Sequence, residues 1–216
     1  MQATQVNKEL RLKEMKRRIL DISYRHKLSH LGSCLTALPI LDEIYFLKQK
    51  KEKAILSSGH AGLALYVVIE KYEGIDAEKI FEHHGVHPDR CNQCHLYCST
   101  GSLGQGLPIA VGMALADRKK NVYCLISDGE CSEGSIMEAL RIQREQALTN
   151  LKVYINCNGY GAYKKVEITN ILNPIICMSP YIRYTNTLDF PFLVGQDAHY
   201  HVMTEEEYKT GMEILK

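Results

Sequence analysis

The stretch Val122–Asn158, VYCLISDGECSEGSIMEALRIQREQALTNLKVYINCN, decides the fold class of this 216-residue chain. Two short and continuous apolar runs, Val122–Ile126 and Val153–Asn156, have the length and composition of buried strands. The residues between them, Ile136–Ala147, have a helical pattern. The stretch therefore predicts one β-α-β unit with two parallel neighbouring strands, and we expect an α/β fold.

Polar residues follow both strands of this unit. Asp128 comes directly after the first strand and Asn158 after the second, so both are expected at the sheet edge where open α/β sheets hold ligands. Their oxygens, with the backbone carbonyl of Tyr160, suit a hard cation such as Mg²⁺, which usually shares its ligands with phosphate groups. Gly129 permits close approach of a phosphate, and a helix that begins near Gly134 presents free N–H groups. The pattern predicts an Mg²⁺-diphosphate site.

A second glycine-rich turn, Ser99–Gly106 (STGSLGQG), leads into a small-residue-rich helix expected at Gly104–Ala116. It offers another approach to a phosphate at a helix N-terminus. The chain lacks the P-loop pattern G-x-x-x-x-G-K-[ST], and GSLGQG is not the dinucleotide pattern G-x-G-x-x-G. An ordinary turn at Asp128-Gly129, followed by Ser132 as a helix cap, is the alternative interpretation of the first site.

The remaining elements are predicted from apolar spacing and capping residues. In the second helix, Thr36 is expected at the N-cap and Pro39 in the first turn. The expected helices are Glu9–Leu28, Ala37–Lys48, Gly59–Glu73 and Glu205–Leu215, and the further strands are Ile175–Met178 and Phe192–Val194.

Composition excludes several classes of protein. Apolar residues make up 45% of the chain and charged residues 24%, which indicates a globular rather than a disordered protein. The formal net charge of +1 favours neither nucleic acid nor an anionic membrane as partner. The sequence shows no apolar signal segment and no apolar stretch of membrane-spanning length. We expect a cytoplasmic protein in which residues 1–216 form a single domain.

The segment Arg90–Ser99 contains Cys91, Cys94, His95 and Cys98. The spelling C-x-x-C-H is that of c-type haem attachment, but that attachment takes place outside the cytosol. Zinc is the alternative, yet structural zinc sites usually draw ligand pairs from two separated segments, and the sequence shows no second pair with suitable spacing. We therefore expect ordinary loop and core cysteines here.

Several segments, in order along the chain, resemble the transketolase family. The resemblance runs from about Glu9 to Tyr160 and is closest to the N-terminal subunits of split transketolases, which carry only the diphosphate-binding half. The segment SDGECSEG, followed by NCN, resembles the thiamine-diphosphate motif G-D-G…N of this family. The other matching segments are LSHLGSCLTALPIL (28–41), LSSGHA (56–61), GVHPDR (85–90) and STGSLGQGLPIAVGMALA (99–116).

This resemblance implies a fold and a cofactor. The fold is a three-layer αβα thiamine-diphosphate-binding domain of the PP type with a mostly parallel sheet. The cofactor is thiamine diphosphate with Mg²⁺ or Ca²⁺. Asp128, Asn158 and the carbonyl of Tyr160 match the family's metal ligands, and Gly129 matches a glycine that contacts the diphosphate.

The resemblance also implies further site residues. Gly101 and Leu103 match positions near the diphosphate and the thiazolium ring. Glu133 matches an acid of the cofactor-binding carboxylate network between the two halves of the active site. The histidines implied to touch diphosphate or substrate are His30, His60 and His87, and either His199 or His201 matches a later histidine of the same domain.

The sequence departs from the family pattern at three places. Ser127 replaces the first glycine of G-D-G, and Asn156 stands where the family often has aspartate. The span Val166–Leu193 is shorter than in split transketolase subunits, as if part of a helix-strand unit were missing. These departures bear on the diphosphate turn, the substrate contacts and the subunit interface.

The implied activity is transfer of a two-carbon ketol unit from a ketose (phosphate) to an aldose. In this family the glutamate that activates the cofactor belongs to a pyrimidine-binding half, which this sequence does not contain. We therefore expect activity only with a C-terminal transketolase-like partner subunit, in an α₂β₂ assembly. Two alternatives stay open: another thiamine-diphosphate enzyme, such as a 2-oxo-acid decarboxylase or a specialised sugar synthase, and a non-catalytic scaffold subunit.

Overall fold

A computed structural model describes residues 2–161, 164–173, 175 and 180–216, with the side chains of residues 2–5 and 197 left undescribed. Its centre is a parallel four-stranded sheet in which the strands lie side by side in chain order. The strands are β1 (Lys53–Leu56), β2 (Val122–Ser127), β3 (Leu151–Cys157) and β4 (Tyr181–Tyr184).

Helices precede and connect these strands. Short 3₁₀ turns at Gly59–Ala61, Gly129–Ser132 and Gln196–His199 lie between them. The helices are α1 (Gln2–Arg25), α2 (Leu31–Leu47), α3 (Gly62–Glu73), α4 (Ala77–His84), α5 (Gly106–Ala116), α6 (Gly134–Glu145), α7 (Ile168–Leu172) and α8 (Glu205–Ile214).

Alternation along the strands produces the layers. In β2, Tyr123 and Leu125 pack into a core with α1, α2 and α3. Their neighbours Cys124 and Ile126 pack into a second core with α5 and α6 on the opposite face. Because successive side chains of a strand point to opposite faces, both faces of the sheet are covered by helices. The predicted three-layer αβα fold with a parallel sheet is confirmed.

The start of α2 was predicted wrongly. The helix begins at Leu31, after His30 at the N-cap with a φ of 64°, and Pro39 lies in its interior rather than in its first turn. Thr36 is therefore a buried helical residue and not an N-cap. Most side chains of α2 are buried, and they lie around the whole circumference of the helix. The free energy gained by this burial outweighs the destabilisation of about 3 kcal/mol that an internal proline causes in a helix.

The C-terminal strands also differ from expectation. Phe192–Val194 is not a strand, because Leu193 closes a turn onto the carbonyl of Phe190 and its side chain is buried there. The strand in this region is β4, which pairs with β3. Of the predicted strand Ile175–Met178, only Ile175 belongs to the described residues, and it lies buried in a turn.

The β-α-β unit around β2, α6 and β3 forms as predicted. Ser127, the last residue of β2, pairs with Asn156 in β3, so the two strands end side by side. The closing helix α8 is also found where expected, with a capping box between Thr204 and Glu207. Within the described residues, no helix is both long enough and apolar enough to cross a membrane.

Candidate functional site

An open cleft of about 770 Å³ lies at the carboxyl ends of β2 and β3. This position is where parallel α/β sheets hold ligands. The cleft brings together most of the site residues predicted from the sequence. Its lining includes His30, His60, His87, Gly101, Leu103, Ser127, Gly129, Asn156, Asn158, Tyr160 and His199.

Asp128 lies directly behind the wall formed by its neighbours. Its carboxylate is fully buried and accepts the N–H of Gly129 at 2.9 Å and that of Gly159 at 2.7 Å. Burial raises the pKa of Asp128 to about 6, and hydrogen bonds from backbone N–H groups oppose this shift. No cationic side chain among the described residues contributes to the shift, so this buried carboxylate lacks a counter-charge.

Asn158 lines the cleft, and a network of hydrogen bonds holds its side chain in place. Its side-chain N–H donates to the hydroxyl of Thr36 at 3.3 Å, and its side-chain oxygen accepts the N–H of Tyr160 at 2.9 Å. Asn156 donates to the same hydroxyl at 3.1 Å. Thr36 thus fixes Asn156, near the end of β3, and Asn158, just after it. This role explains why a polar residue is buried in the apolar helix α2.

These residues fit a hard cation. Asp128 and Asn158 offer carboxylate and amide oxygens at adjacent strand ends, and such oxygens are the ligands that Mg²⁺ and Ca²⁺ prefer. A dication would supply the missing counter-charge to the buried carboxylate.

Both glycine turns line the cleft. A side chain at Gly101 would place its Cβ 3.0 Å from the ring of His87, so the close approach of this turn requires glycine. At Gly129 the nearest protein atom to an added Cβ would be 3.5 Å away, in Gly161. Protein packing therefore does not demand glycine at 129, whereas a group bound in the cleft against its backbone would.

Glu130 was not predicted from the sequence, yet it joins the two glycine turns. It is fully buried, and its carboxyl accepts the Ser57 hydroxyl at 2.6 Å and the Gly104 N–H at 3.0 Å. Its other oxygen accepts the N–H of Ser127 at 3.0 Å. Burial raises its pKa, and these hydrogen bonds oppose the rise. The only sequence signal was a carboxylate two positions after Asp128, which resembles any loop acid.

Ser127, the residue that departs from the family's glycine, fits the turn without displacing it. Its hydroxyl accepts the N–H of Glu130 at 3.2 Å. The same residue lines the cleft. The hydroxyl therefore belongs to the local turn that positions Glu130.

Three histidine rings form a cluster that also lines the cleft. The ring of His30 lies 5.4 Å from that of His60 and 4.6 Å from that of His199, between centroids, and His60 lies 5.6 Å from His199. The His30 Nδ1 is also 3.0 Å from the carbonyl of His199. His87 lines the same cleft. The left-handed backbone at His30 turns this side chain inward from the start of α2.

Burial holds these histidines neutral. It lowers the pKa of His60 to about 3, with smaller contributions from His30, His199 and His87. It also lowers the pKa of His30 and that of His199. Neutral imidazoles both donate and accept hydrogen bonds, which suits the binding of hydroxyl groups and the movement of protons.

The structure distinguishes two histidines that the sequence left undecided. His199 belongs to the cluster, whereas His201 lies 2.9 Å from Glu207 in the capping box of α8. Glu133, in turn, is exposed at the N-cap of α6, forms no side-chain cap hydrogen bond and does not line the cleft. It lies beside Gly104, facing outward from this chain.

A second cavity of about 620 Å³ adjoins the cleft and shares Asn158, Tyr160 and His199 with it. Its wall is more apolar and includes Leu188 and Val194. These two side chains are 79% and 65% exposed, which is unusual for large apolar residues beside a ligand cleft.

The protein is thus a three-layer α/β domain: helices cover both faces of a parallel sheet, and a cleft opens at the strand ends. The family comparison gives its identity. The family model described as transketolase, thiamine diphosphate binding domain, matches residues 42–171. The chain belongs to this family, as the resemblance implied.

Similar proteins extend this finding. The chain is 31% identical over 171 residues to one subunit of the apulose-4-phosphate transketolase of Phocaeicola vulgatus, covering 69% of this chain and 60% of that protein. It is 32% identical to the 6-deoxy-6-sulfo-D-fructose transketolase subunit SqwG of Clostridium sp. (strain MSTE9), covering 68% of this chain and 59% of that one. The transketolase of Homo sapiens is 33% identical, covering 61% of this chain and 24% of that protein.

A solved structure supports the fold. The transketolase of Campylobacter jejuni matches with a TM-score of 0.82 and 19% identity, over 97% of this chain and 43% of the other. At this identity the likeness concerns the fold alone. The chain spans about 60% of the length of the Phocaeicola vulgatus relative and about a quarter of the human transketolase.

Proposed function

We propose that this chain is the thiamine-diphosphate- and Mg²⁺-binding subunit of a split transketolase, with residues 1–216 as one domain. The observation that carries the proposal is the cleft in which Gly101, Gly129 and Asn158 meet the half-buried histidine cluster, directly in front of the uncompensated Asp128. Membership of the family supports the choice of cofactor.

Each part of the cleft has a role in this proposal. Asp128, Asn158 and the carbonyl of Tyr160 hold the metal ion, and Gly129 and Gly101 admit the diphosphate. Leu103 lies beside the bound ring, and Glu133 extends the cofactor-binding acids towards a partner. When bound, thiamine diphosphate supplies the electron sink for carbon–carbon bond cleavage.

The histidines act on the substrate. His30, His60 and His87, joined by His199, bind sugar hydroxyls and move protons at the substrate oxygens. The named relatives act on different sugars, one on apulose-4-phosphate and one on 6-deoxy-6-sulfo-D-fructose. We propose transfer of a two-carbon ketol unit from a ketose (phosphate) to an aldose, and several polar groups around one cleft favour sugar over simple 2-oxo-acid substrates.

A partner subunit completes the proposal. Two relatives are named as subunits, and Glu133 faces outward beside the cleft. The exposed Leu188 and Val194, in the wall of the adjoining cavity, provide an apolar surface that a second chain would cover. We propose that a pyrimidine-domain subunit docks here in an α₂β₂ assembly in the cytoplasm.

Activity assays with and without the partner test this proposal. The neighbouring gene's product is the first candidate for the partner. We expect ketol transfer from the mixture and none from either chain alone. Full transfer by the isolated chain would contradict the partner requirement, and decarboxylation of a 2-oxo acid without ketol transfer would contradict the reaction.

Matched variants test the docking surface. Leu188→Ser is expected to weaken association with the partner at least tenfold, because it removes a large apolar side chain from the contact. Phe46→Ser is the control, since Phe46 is similarly exposed but lies near the far end of α2, about 20–25 Å along the helix from its start at the cleft. Equal effects of the two variants would contradict this surface.

A further inference from the structure

A second cluster of candidate ligands lies outside the cleft. The ligand atoms of His84, Cys91 and Cys94 all lie within 4.8 Å of one another. Two sulfurs on a tetrahedral zinc ion are separated by roughly 3.8 Å, so only small side-chain movements would bring these atoms into coordination distance. We propose that His84, Cys91 and Cys94 bind a zinc ion through one nitrogen and two sulfurs, which leaves the fourth position to water.

The backbone around the two cysteines is already shaped as a ligand turn. Cys91 and Leu96 exchange two backbone hydrogen bonds of 2.9 Å, which close a short hairpin. Within it, the N–H of Cys94 points at the sulfur of Cys91 at 3.2 Å. His95 follows with a φ of 57°, the left-handed conformation that reverses the chain after Cys94. The hairpin therefore holds Cys91 and Cys94 in one tight turn.

His84 supplies the ligand from a separate element. It is the last residue of α4, and its Nε2 is buried without a hydrogen-bond partner among the described residues. A buried ring nitrogen without a partner costs free energy unless something binds it. The sequence argument against zinc was the lack of a second ligand segment, and the fold provides that segment at the end of α4.

The other candidates from the sequence are not in the cluster. The Cys98 side chain is buried in the core on the α5 and α6 face of the sheet. The ring of His95 lies instead beside the hydroxyl of Tyr97, at 3.4 Å. The sequence pattern C-x-x-C-H therefore does not indicate haem attachment here. Its two cysteines lie in the turn Cys91–Leu96, called the zinc turn below. Two thiolates neutralise the ion, and water completes a tetrahedral site.

The position of the site indicates its role. It ties the end of α4 to the hairpin, within the same connection that carries His87 and continues into the Gly101 turn. Across this connection, the N–H of Thr100 already bonds to the carbonyl of Pro88 at 3.0 Å. Bound zinc would therefore stiffen one wall of the cleft without touching a ligand in it.

The first test is metal binding by the full chain, reduced and freed of metal, with zinc measured after gel filtration. We expect one zinc ion per chain. With cobalt in place of zinc, we expect the intense thiolate-to-metal absorption bands of a tetrahedral site with sulfur ligands. A reduced chain that retains no stoichiometric zinc, or a cobalt complex without thiolate bands, would overturn the proposal.

Matched variants make the test specific to these residues. Cys91→Ser, Cys94→Ser and His84→Gln are each expected to weaken zinc binding by more than about 100-fold, since even outer contacts to metal sites are worth about 10–100-fold. Cys98→Ser and His83→Gln are the controls from the same region and should retain wild-type affinity. Equal losses in Cys98→Ser and Cys94→Ser would overturn the assignment.

Discussion

At the scale of single residues, buried polar groups explain the site better than the motifs do. The motif Asp128-Gly129 and the later Asn158 were predicted because their spacing follows from a β-α-β unit. The roles of Thr36 and Glu130 were not predictable, because their partners lie in distant parts of the sequence. Thr36 accepts a hydrogen bond from Asn156, and Glu130 accepts one from Ser57. The choice of His199 over His201 likewise required the three-dimensional structure, since the two histidines lie only two positions apart in one polar segment.

The pH dependence of stability tests the histidine cluster. The folded-state pKa of His60 is lowered to about 3, so between pH 6.5 and 3 the unfolded chain binds a proton that the folded chain excludes. Stability is therefore lost as the pH falls below about 6.5. Asp128, with a raised pKa, contributes in the opposite direction.

We expect His60→Gln to reduce the loss of unfolding free energy between pH 7.5 and pH 5 by about 2 kcal/mol. Urea unfolding at the two pH values measures this, and the contribution of Asp128 cancels because both proteins contain it. His201→Gln is the control outside the cluster. An unchanged pH dependence in His60→Gln would show that His60 titrates normally.

The role of Glu130 is tested by truncation. Glu130→Ala leaves the Ser57 hydroxyl and the N–H groups of Gly104 and Ser127 without their acceptor. We expect a loss of about 3 kcal/mol or more in unfolding free energy, because each buried unsatisfied donor costs about 1–3 kcal/mol. Glu138→Ala, at an exposed position of α6, should change stability by about 0.5 kcal/mol or less. Similar effects of the two substitutions would refute the anchoring role.

At the scale of elements, prediction succeeded where the apolar pattern was unambiguous. The strands β2 and β3 and the helices α3, α6 and α8 were all recognised, within a few residues at their ends. The start of α2 was missed because its first turns are as apolar as its interior, and because Pro39, a residue common in the first turn of a helix, lies in the interior here. The strand β4 was missed because it is four residues long and half-exposed, so its pairing with β3 defines it rather than its composition.

Two glycines of α5 test how this helix is positioned. At Gly106, an added Cβ would lie 2.6 Å from the side chain of Ser57, whereas at Gly112 it would meet open space. We expect Gly106→Ala to destabilise the protein by about 1–3 kcal/mol through overpacking. Gly112→Ala should stabilise it by up to about 1 kcal/mol, because alanine is the better helix former. Thermal unfolding of both variants measures the difference, and destabilisation by both in equal measure would contradict the packing.

At the scale of the whole molecule, the chain has an open cleft at the strand ends with an exposed apolar surface in the cavity beside it. The fold could be predicted from the sequence because a β-α-β unit and the family resemblance agree on it. The docking surface could not, because Leu188 and Val194 are ordinary apolar residues in the sequence until the fold shows them exposed. The zinc turn was missed for a related reason, since His84 joins the cysteines only in three dimensions.

The most direct test of the account is titration calorimetry of thiamine diphosphate into the full chain, alone and with the partner, with Mg²⁺ or with a chelator. We predict one Mg²⁺-dependent site per chain. Asp128→Asn should weaken binding at least about 100-fold, or about 3 kcal/mol, because it removes a buried anionic ligand. Asp117→Asn, an exposed aspartate after α5, should bind as the wild type does. Binding that is unaffected by the chelator or by Asp128→Asn, or no binding even with the partner, would contradict the account.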